Sequence, residues 1–127
     1  MKEKEKKQNV GIWLDNNKAI IITKGSEDEF AVTNHVKANE HHGGGSEHSI
    51  NNSKQADNNK FFKSISNLVS NYDEILLFGP GKSQEQLQNL LHEDPHFKSK
   101  KIAIDASGQL TEPQMVAQVR DFFKNRQ

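Results

Sequence analysis

Residues Glu74-Ile75-Leu76-Leu77-Phe78-Gly79-Pro80-Gly81 (EILLFGPG) decide the fold. The apolar run is short and continuous, without the polar alternation of a half-exposed strand, so it reads as a strand buried on both faces. Gly79-Pro80-Gly81 ends it, because neither residue type extends a central strand or favours a helix interior. A strand covered on both faces needs helices on either side of the sheet.

The flanking sequence supplies them. Upstream, Phe61, Phe62, Ile65, Leu68, Val69 and Tyr72 follow the spacing of one helical face, which predicts a helix from Asn58 with Asp57 or Asn58 as its cap. Downstream, Ser83 and Gln86 form a capping-box pattern for a helix whose apolar face is Leu87, Leu90 and Leu91, stopped near Asp94-Pro95. Lys101-Ile102-Ala103-Ile104-Asp105 reads as a further strand. A last helix starts at Thr111, with Gln114 three residues on and Pro113 tolerated in the first turn, and it presents Met115, Val116, Val119, Phe122 and Phe123.

The N-terminal part has the period of strands. Val10, Ile12 and Leu14 alternate with Gly11, Trp13 and Asp15; Asp15-Asn16-Asn17-Lys18 is turn chemistry; Ile20-Ile21-Ile22-Thr23 is β-branched. A third strand over Glu29 to Lys37 would use Phe30, Val32 and Val36. The order is therefore β-β-β-α-β-α-β-α. Helical crossovers make the fourth and fifth strands parallel to the first and place them beside it. The expected fold is α/β: a single domain, residues 9–127, with a mixed five-stranded sheet in the order 3-2-1-4-5 and flanking helices, the topology of ribonuclease-H-like folds. A charged tail, residues 1–8, precedes it.

Composition narrows the function. The 127 residues carry 17 Lys and Arg against 17 Asp and Glu, so an RNA partner has to be met through a local patch rather than by net charge. With 32% hydrophobic residues, part of the chain should be solvated, and residues 38–59, rich in Asn, Ser, Gly and His, are expected to form a flexible loop. The chain contains no cysteine, which excludes disulfides and thiolate chemistry. No signal-peptide core follows the N-terminal lysines, and no apolar stretch reaches membrane-spanning length, so the expected address is cytoplasmic, without a membrane partner.

Several stretches carry chemistry worth weighing. Gly81-Lys82-Ser83 matches the end of a phosphate-binding P-loop, but Leu76 stands where the first glycine of that motif belongs. What survives is a candidate anion-binding helix N-terminus made by Gly79, Gly81, Lys82 and Ser83, where free amides and the helix dipole point outward. Asp15 and Asp105 sit near strand ends, yet the strand between them ends in Gly79, where a two-metal nuclease would want another acid.

His41, His42 and His48, with Glu40 and Glu47, are competent ligands for zinc, nickel or copper. Gly43-Gly44-Gly45 leaves them unheld, so ordering the loop would consume much of the binding energy, and neither metal nor cofactor is expected. Ser46, Glu47 and His48 likewise lack anything to orient them as a triad. His92 and His96 read as structural residues at the end of the second helix.

The glycine loop after three strands, followed by Ile75 to Lys82 and by Leu110 to Phe123, resembles the bacterial relatives of the middle domain of the archaeal and eukaryotic peptide-chain release factor and of Pelota. The resemblance spans the chain from Val10 onward and implies a ribonuclease-H-like sheet. In that family a Gly-Gly-Gln tip directs water to the peptidyl-tRNA ester. Here Gly43-Gly44-Gly45 or Gly44-Gly45-Ser46 stands in the comparable place and the glutamine is missing. The resemblance thus implies a translation-associated protein that contacts the ribosome or tRNA through His41, His42, Gly43, Gly44, Gly45, Ser46 and His48, without competent peptidyl-tRNA hydrolysis. The alternatives are a hydrolase, acting through the glycine loop or through Asp15 and Asp105 with metal, and a homodimer formed by strand addition at the third strand.

Overall fold

The computed structural model describes residues 8–25, 29–38 and 50–124, and for residues 50–59 the backbone alone. Strand β1 (Asn9–Leu14) pairs antiparallel with β2 (Lys18–Lys24), which pairs antiparallel with β3 (Phe30–Lys37). On its other side β1 pairs parallel with β4 (Glu74–Gly79), and β4 with β5 (Lys101–Ala106). The sheet order is β3-β2-β1-β4-β5, as the crossover argument requires. Helices α1 (Ile50–Val69) and α2 (Ser83–His92) and a 3-10 turn (Pro95–Phe97) precede β5; α3 (Glu112–Lys124) follows it.

Alternation along the central strands divides the core into two layers. Ile12, Leu14, Ile21, Ile75 and Leu77 point to one face and pack with Phe61, Phe62, Ile65 and Val69 of α1, Leu87 and Leu91 of α2, and Phe97. Trp13, Ile20, Ile22, Leu76 and Phe78 point to the other and meet Met115, Val119 and Phe123 of α3. Each fully buried aliphatic or aromatic side chain contributes roughly 1.5–3 kcal/mol. The EILLFGPG strand is therefore apolar throughout because it has helices on both sides.

Gly11 makes the α3 layer close. A side chain there would collide with Val119, so the bare backbone of β1 lets α3 approach the sheet. Helix α3 is opened by a reciprocal capping box: the Thr111 amide donates to Gln114 Oε1 at 2.9 Å, and the Gln114 amide donates to Thr111 Oγ1 at 3.3 Å.

Three expectations change. Helix α1 begins at Ile50 rather than Asn58, which removes residues 50–59 from the expected loop. No glycine or proline lies between Ile50 and Phe78, so nothing in that segment stops the helix from propagating N-terminally. Ser83 does not cap α2: Lys82 holds that position without a side-chain cap, and Ser83 is buried inside the first turn. Leu68 and Leu90, assigned to apolar faces, are exposed.

Strand β3 holds a bulge that its sequence does not announce. Ile21 pairs with Asn34 but Ile22 with Val32, leaving Thr33 as the extra residue. The bulge reverses the facing of the residues beyond it. Phe30 and Val32 pack on the α3 layer, while Val36 packs on the α1 layer. His35 is turned towards α3, where its Nε2 lies 2.8 Å from Glu112 Oε2.

Candidate functional site

Strands β1, β4 and β5 are parallel, and β3 runs with them because two antiparallel pairings separate it from β1. All four therefore end at the same edge of the domain. In open α/β sheets this edge is where ligands are usually met, since the connections leaving the strands gather there. It carries the β1–β2 turn, the exit of β3 towards α1, the β4–α2 turn and the β5–α3 connection.

The β1–β2 turn is organised by Asp15. Its Oδ1 accepts from the amides of Asn17 (2.8 Å) and Lys18 (2.9 Å), and its own amide donates to the Lys18 carbonyl at 3.0 Å. The Ala38 amide donates to the Asn17 carbonyl at 2.8 Å, which binds the end of β3 to this turn. Residues 39–49 follow Ala38 in the sequence. His41, His42, Gly43, Gly44, Gly45, Ser46 and His48 lie outside the described residues.

The β4–α2 turn is built by two glycines. Gly79 has φ 135° and Gly81 φ 80°, backbone conformations that side chains disfavour. A Cβ on Gly79 would run into the Leu14 carbonyl oxygen, and it would lie 2.9 Å from Gln84 Nε2. Gly79 is thus required where β4 passes the end of β1. Ser83 Oγ donates to Asn16 Oδ1 at 2.8 Å, joining α2 to the β1–β2 turn. Gln84 is 2% exposed; its Nε2 donates to the Pro80 carbonyl at 3.3 Å, and its Oε1 is buried without a partner among the described residues.

These contacts sort the four residues of the candidate anion site. Gly79 and Ser83 are buried and packed against β1 and its turn, whereas Gly81 and Lys82 are exposed at the start of α2. Asp15 serves its turn, and Asp105 Oδ2 accepts from Gln118 Nε2 of α3 at 3.2 Å. Among the described residues, no group of three or more His, Cys, Asp or Glu side chains could hold a metal ion. His96 Nε2 lies 3.3 Å from the Ser70 carbonyl, and its ring meets Phe97 edge-on, tying the 3-10 turn to the end of α1.

Asn16 and Gln84 organise this edge, although no local signal singles them out. Asn16 looks like an ordinary turn residue and Gln84 like a solvated residue in a helical first turn. Both acquire their roles only when β1 and β4 are side by side.

The fold defines a class: a small α/β domain with a mixed five-stranded sheet and helices on both of its faces. A solved structure of Archaeoglobus fulgidus Pelota shares that fold, with a TM-score of 0.58 and 9% identity, covering 96% of this chain and 37% of that one. An archaeal translation termination factor, aRF1, aligns over 93% of this chain and 39% of its own, with 15% identity and a TM-score of 0.45. This chain therefore spans less than two-fifths of the length of either protein. No protein-family model matches the chain, and no curated protein sequence does. Among the described residues, no helix is long and apolar enough to cross a membrane.

Proposed function

We propose that this protein is a translation-associated binding protein of the cytoplasm that contacts the ribosome or tRNA through residues 39–49. The observation that carries the reading is the fold shared with Pelota across 96% of the chain. The resemblance of the glycine-rich segment and the Gly-Pro-Gly strand end to the release-factor and Pelota middle domain supports it. So does the end of β3, where Ala38 meets Asn17 at the edge that carries Gly81 and Lys82.

The chemistry suits contact with RNA better than hydrolysis. Glycine backbone approaches RNA closely because no Cβ intervenes, and Lys82, at the edge where β3 ends, adds a phosphate-directed charge. The glutamine that would position water beside an ester is absent from the segment. Contact without peptidyl-tRNA cleavage is the activity proposed.

Co-sedimentation with ribosomes through a sucrose cushion, at low and moderate salt, tests the reading. The intact chain should sediment with ribosomes at both salts, and a chain lacking residues 41–48 should stay in the supernatant at moderate salt. Failure of the intact chain to sediment with either empty or tRNA-loaded ribosomes would overturn it.

A further inference from the structure

The outermost strands of the sheet are β3 and β5. Strand β3 carries the bulge at Thr33, and a bulge bends an edge away from further pairing. Strand β5 pairs with β4 from Lys101 to Ala106 without a register shift, so its far side is a straight row of backbone groups. The Lys101 amide donates to the Asp73 carbonyl at 3.0 Å, on the β4 side, which by alternation turns the amides and carbonyls of Ile102, Ile104 and Ala106 outwards. Gln88 Nε2 donates to the outward Ile102 carbonyl at 3.4 Å; among the described residues, no strand lies beside the outward groups of Ile104. Such an edge is a template for another strand.

The side chains of β5 select the strand that fits. Register places Ile102 and Ile104 beside Ile75 and Leu77 on the α1 face, and Lys101, Ala103 and Asp105 beside Glu74, Leu76 and Phe78 on the α3 face. Ile104 is 39% exposed, an aliphatic side chain at an uncovered edge. Lys101 and Asp105 are exposed, carry opposite charges and stand symmetrically about Ala103. Like charges there would repel a second copy of the strand, whereas opposite charges at mirrored positions match one.

We propose that β5 pairs antiparallel with β5 of a second copy of this chain, about a two-fold axis at Ala103, joining the two five-stranded sheets into one. Ile102 then faces Ile104 of the second copy. Both turn their backbone groups outwards, so each such pair exchanges two N–H···O bonds. The Ile102 carbonyl has a second lone pair, so Gln88 keeps its place. Ala103 meets Ala103 of the second copy at a non-hydrogen-bonded position, where Cα atoms approach to about 4.5 Å and a small side chain fits. On the α3 face, Lys101 lies opposite Asp105 of the second copy, and symmetry repeats the ion pair. Asp105 Oδ2 is already held by Gln118 Nε2 at 3.2 Å, which leaves Oδ1 for the lysine. Sliding the strands by two residues either way sets Lys101 opposite Ala103 or Ser107, and sliding them by one sets outward groups against inward ones. One register satisfies backbone and charge together.

The antiparallel pairing points the carboxyl ends of the two sets of parallel strands in opposite directions, so both of those edges stay open and this inference stands apart from ribosome contact. Sedimentation velocity of the purified full chain tests it. Two short strands make a small interface, of the class that associates transiently, so the protein is followed up to about 1 mM. Wild type should show a monomer–dimer equilibrium. Lys101→Glu sets carboxylates against each other at both ends of the pair, and Asp105→Lys sets ammonium groups; each should weaken dimerisation by roughly tenfold or more. An equimolar mixture of these two variants recreates both ion pairs in a heterodimer and should associate like wild type. Ile104→Pro removes an outward amide that β4 does not use, so it should abolish the dimer while circular dichroism reports a native fold. A wild type that stays monomeric would overturn the proposal and leave the edge to a strand of another protein. So would a dimer that survives either charge reversal or Ile104→Pro, or a mixture no better than its two components.

Discussion

Ser83 Oγ donates a hydrogen bond of 2.8 Å to Asn16 Oδ1, fastening the first turn of α2 to the β1–β2 turn across 67 residues of sequence. Ser83 is 4% exposed, so losing this partner leaves a buried hydroxyl to be satisfied elsewhere. Ser83→Ala and Asn16→Ala should each lower stability by about 1 kcal/mol. Urea denaturation of the two single variants and the double variant checks this. The double should lose less than the sum, because one shared bond is being removed twice.

Gly79 and Gly81 both have positive φ, but their surroundings differ. A Cβ on Gly79 meets the Leu14 carbonyl and Gln84, while nothing lies within 4 Å of one on Gly81. Gly81→Ala therefore carries only backbone strain, on the order of 1 kcal/mol. Gly79→Ala adds a collision with backbone and should cost about 3 kcal/mol or more. Thermal unfolding of the two variants should separate them clearly; equal losses would contradict the close approach of β4 to β1.

At Gly11 the obstacle is a side chain rather than backbone. Gly11→Ala should destabilise by about 1–3 kcal/mol, because Val119 is fully buried and has no room to withdraw. Pairing it with Val119→Ala should recover part of the loss, since the alanine methyl then occupies space the valine vacates. A double variant that loses the sum of both single effects would show that α3 does not rest on Gly11.

Trp13 is the chain's single tryptophan, fully buried, and its Nε1 donates to the Gly108 carbonyl at 3.1 Å. This bond holds the β5–α3 connection against the end of β1. Fluorescence should be blue-shifted in the native state and move to the red in one step with the loss of circular dichroism. Trp13→Phe keeps most of the bulk but leaves the Gly108 carbonyl without this donor, at a cost of about 1–2 kcal/mol with the smaller ring included.

The capping box of α3 gives a local control. Thr111→Ala removes the acceptor for the Gln114 amide and should cost about 1 kcal/mol, whereas Thr111→Ser should cost far less because the hydroxyl remains. Guanidinium melts of the two variants check the difference.

The strand order and the two helix-covered faces were legible because they rest on local period and crossover geometry. EILLFGPG could only be a buried strand, Val10 to Leu14 only an alternating one, and helical connections leave few ways to join them. The Thr111–Gln114 box was legible for the same reason: its two residues lie three apart. The start of α1 was not, because residues 50–57 carry no apolar stripe and no breaker, so neither boundary signal is present. The candidate residues His41 to His48 were named on the resemblance of the glycine segment to a release-factor tip, and residues 39–49 lie outside the described part of the chain.

Local chemistry thus determined the elements and their order, whereas packing decided which side chains meet. The bulge at Thr33 turned Val36 to one face and His35 to the other, bringing His35 to Glu112 across 77 residues. Burial of Ser83 and Gln84 follows from the passage of Gly79 beside Leu14. Periodicity and turn chemistry act within a few residues, while a site requires groups distant in sequence to share a few ångströms, and only the packed sheet imposes that.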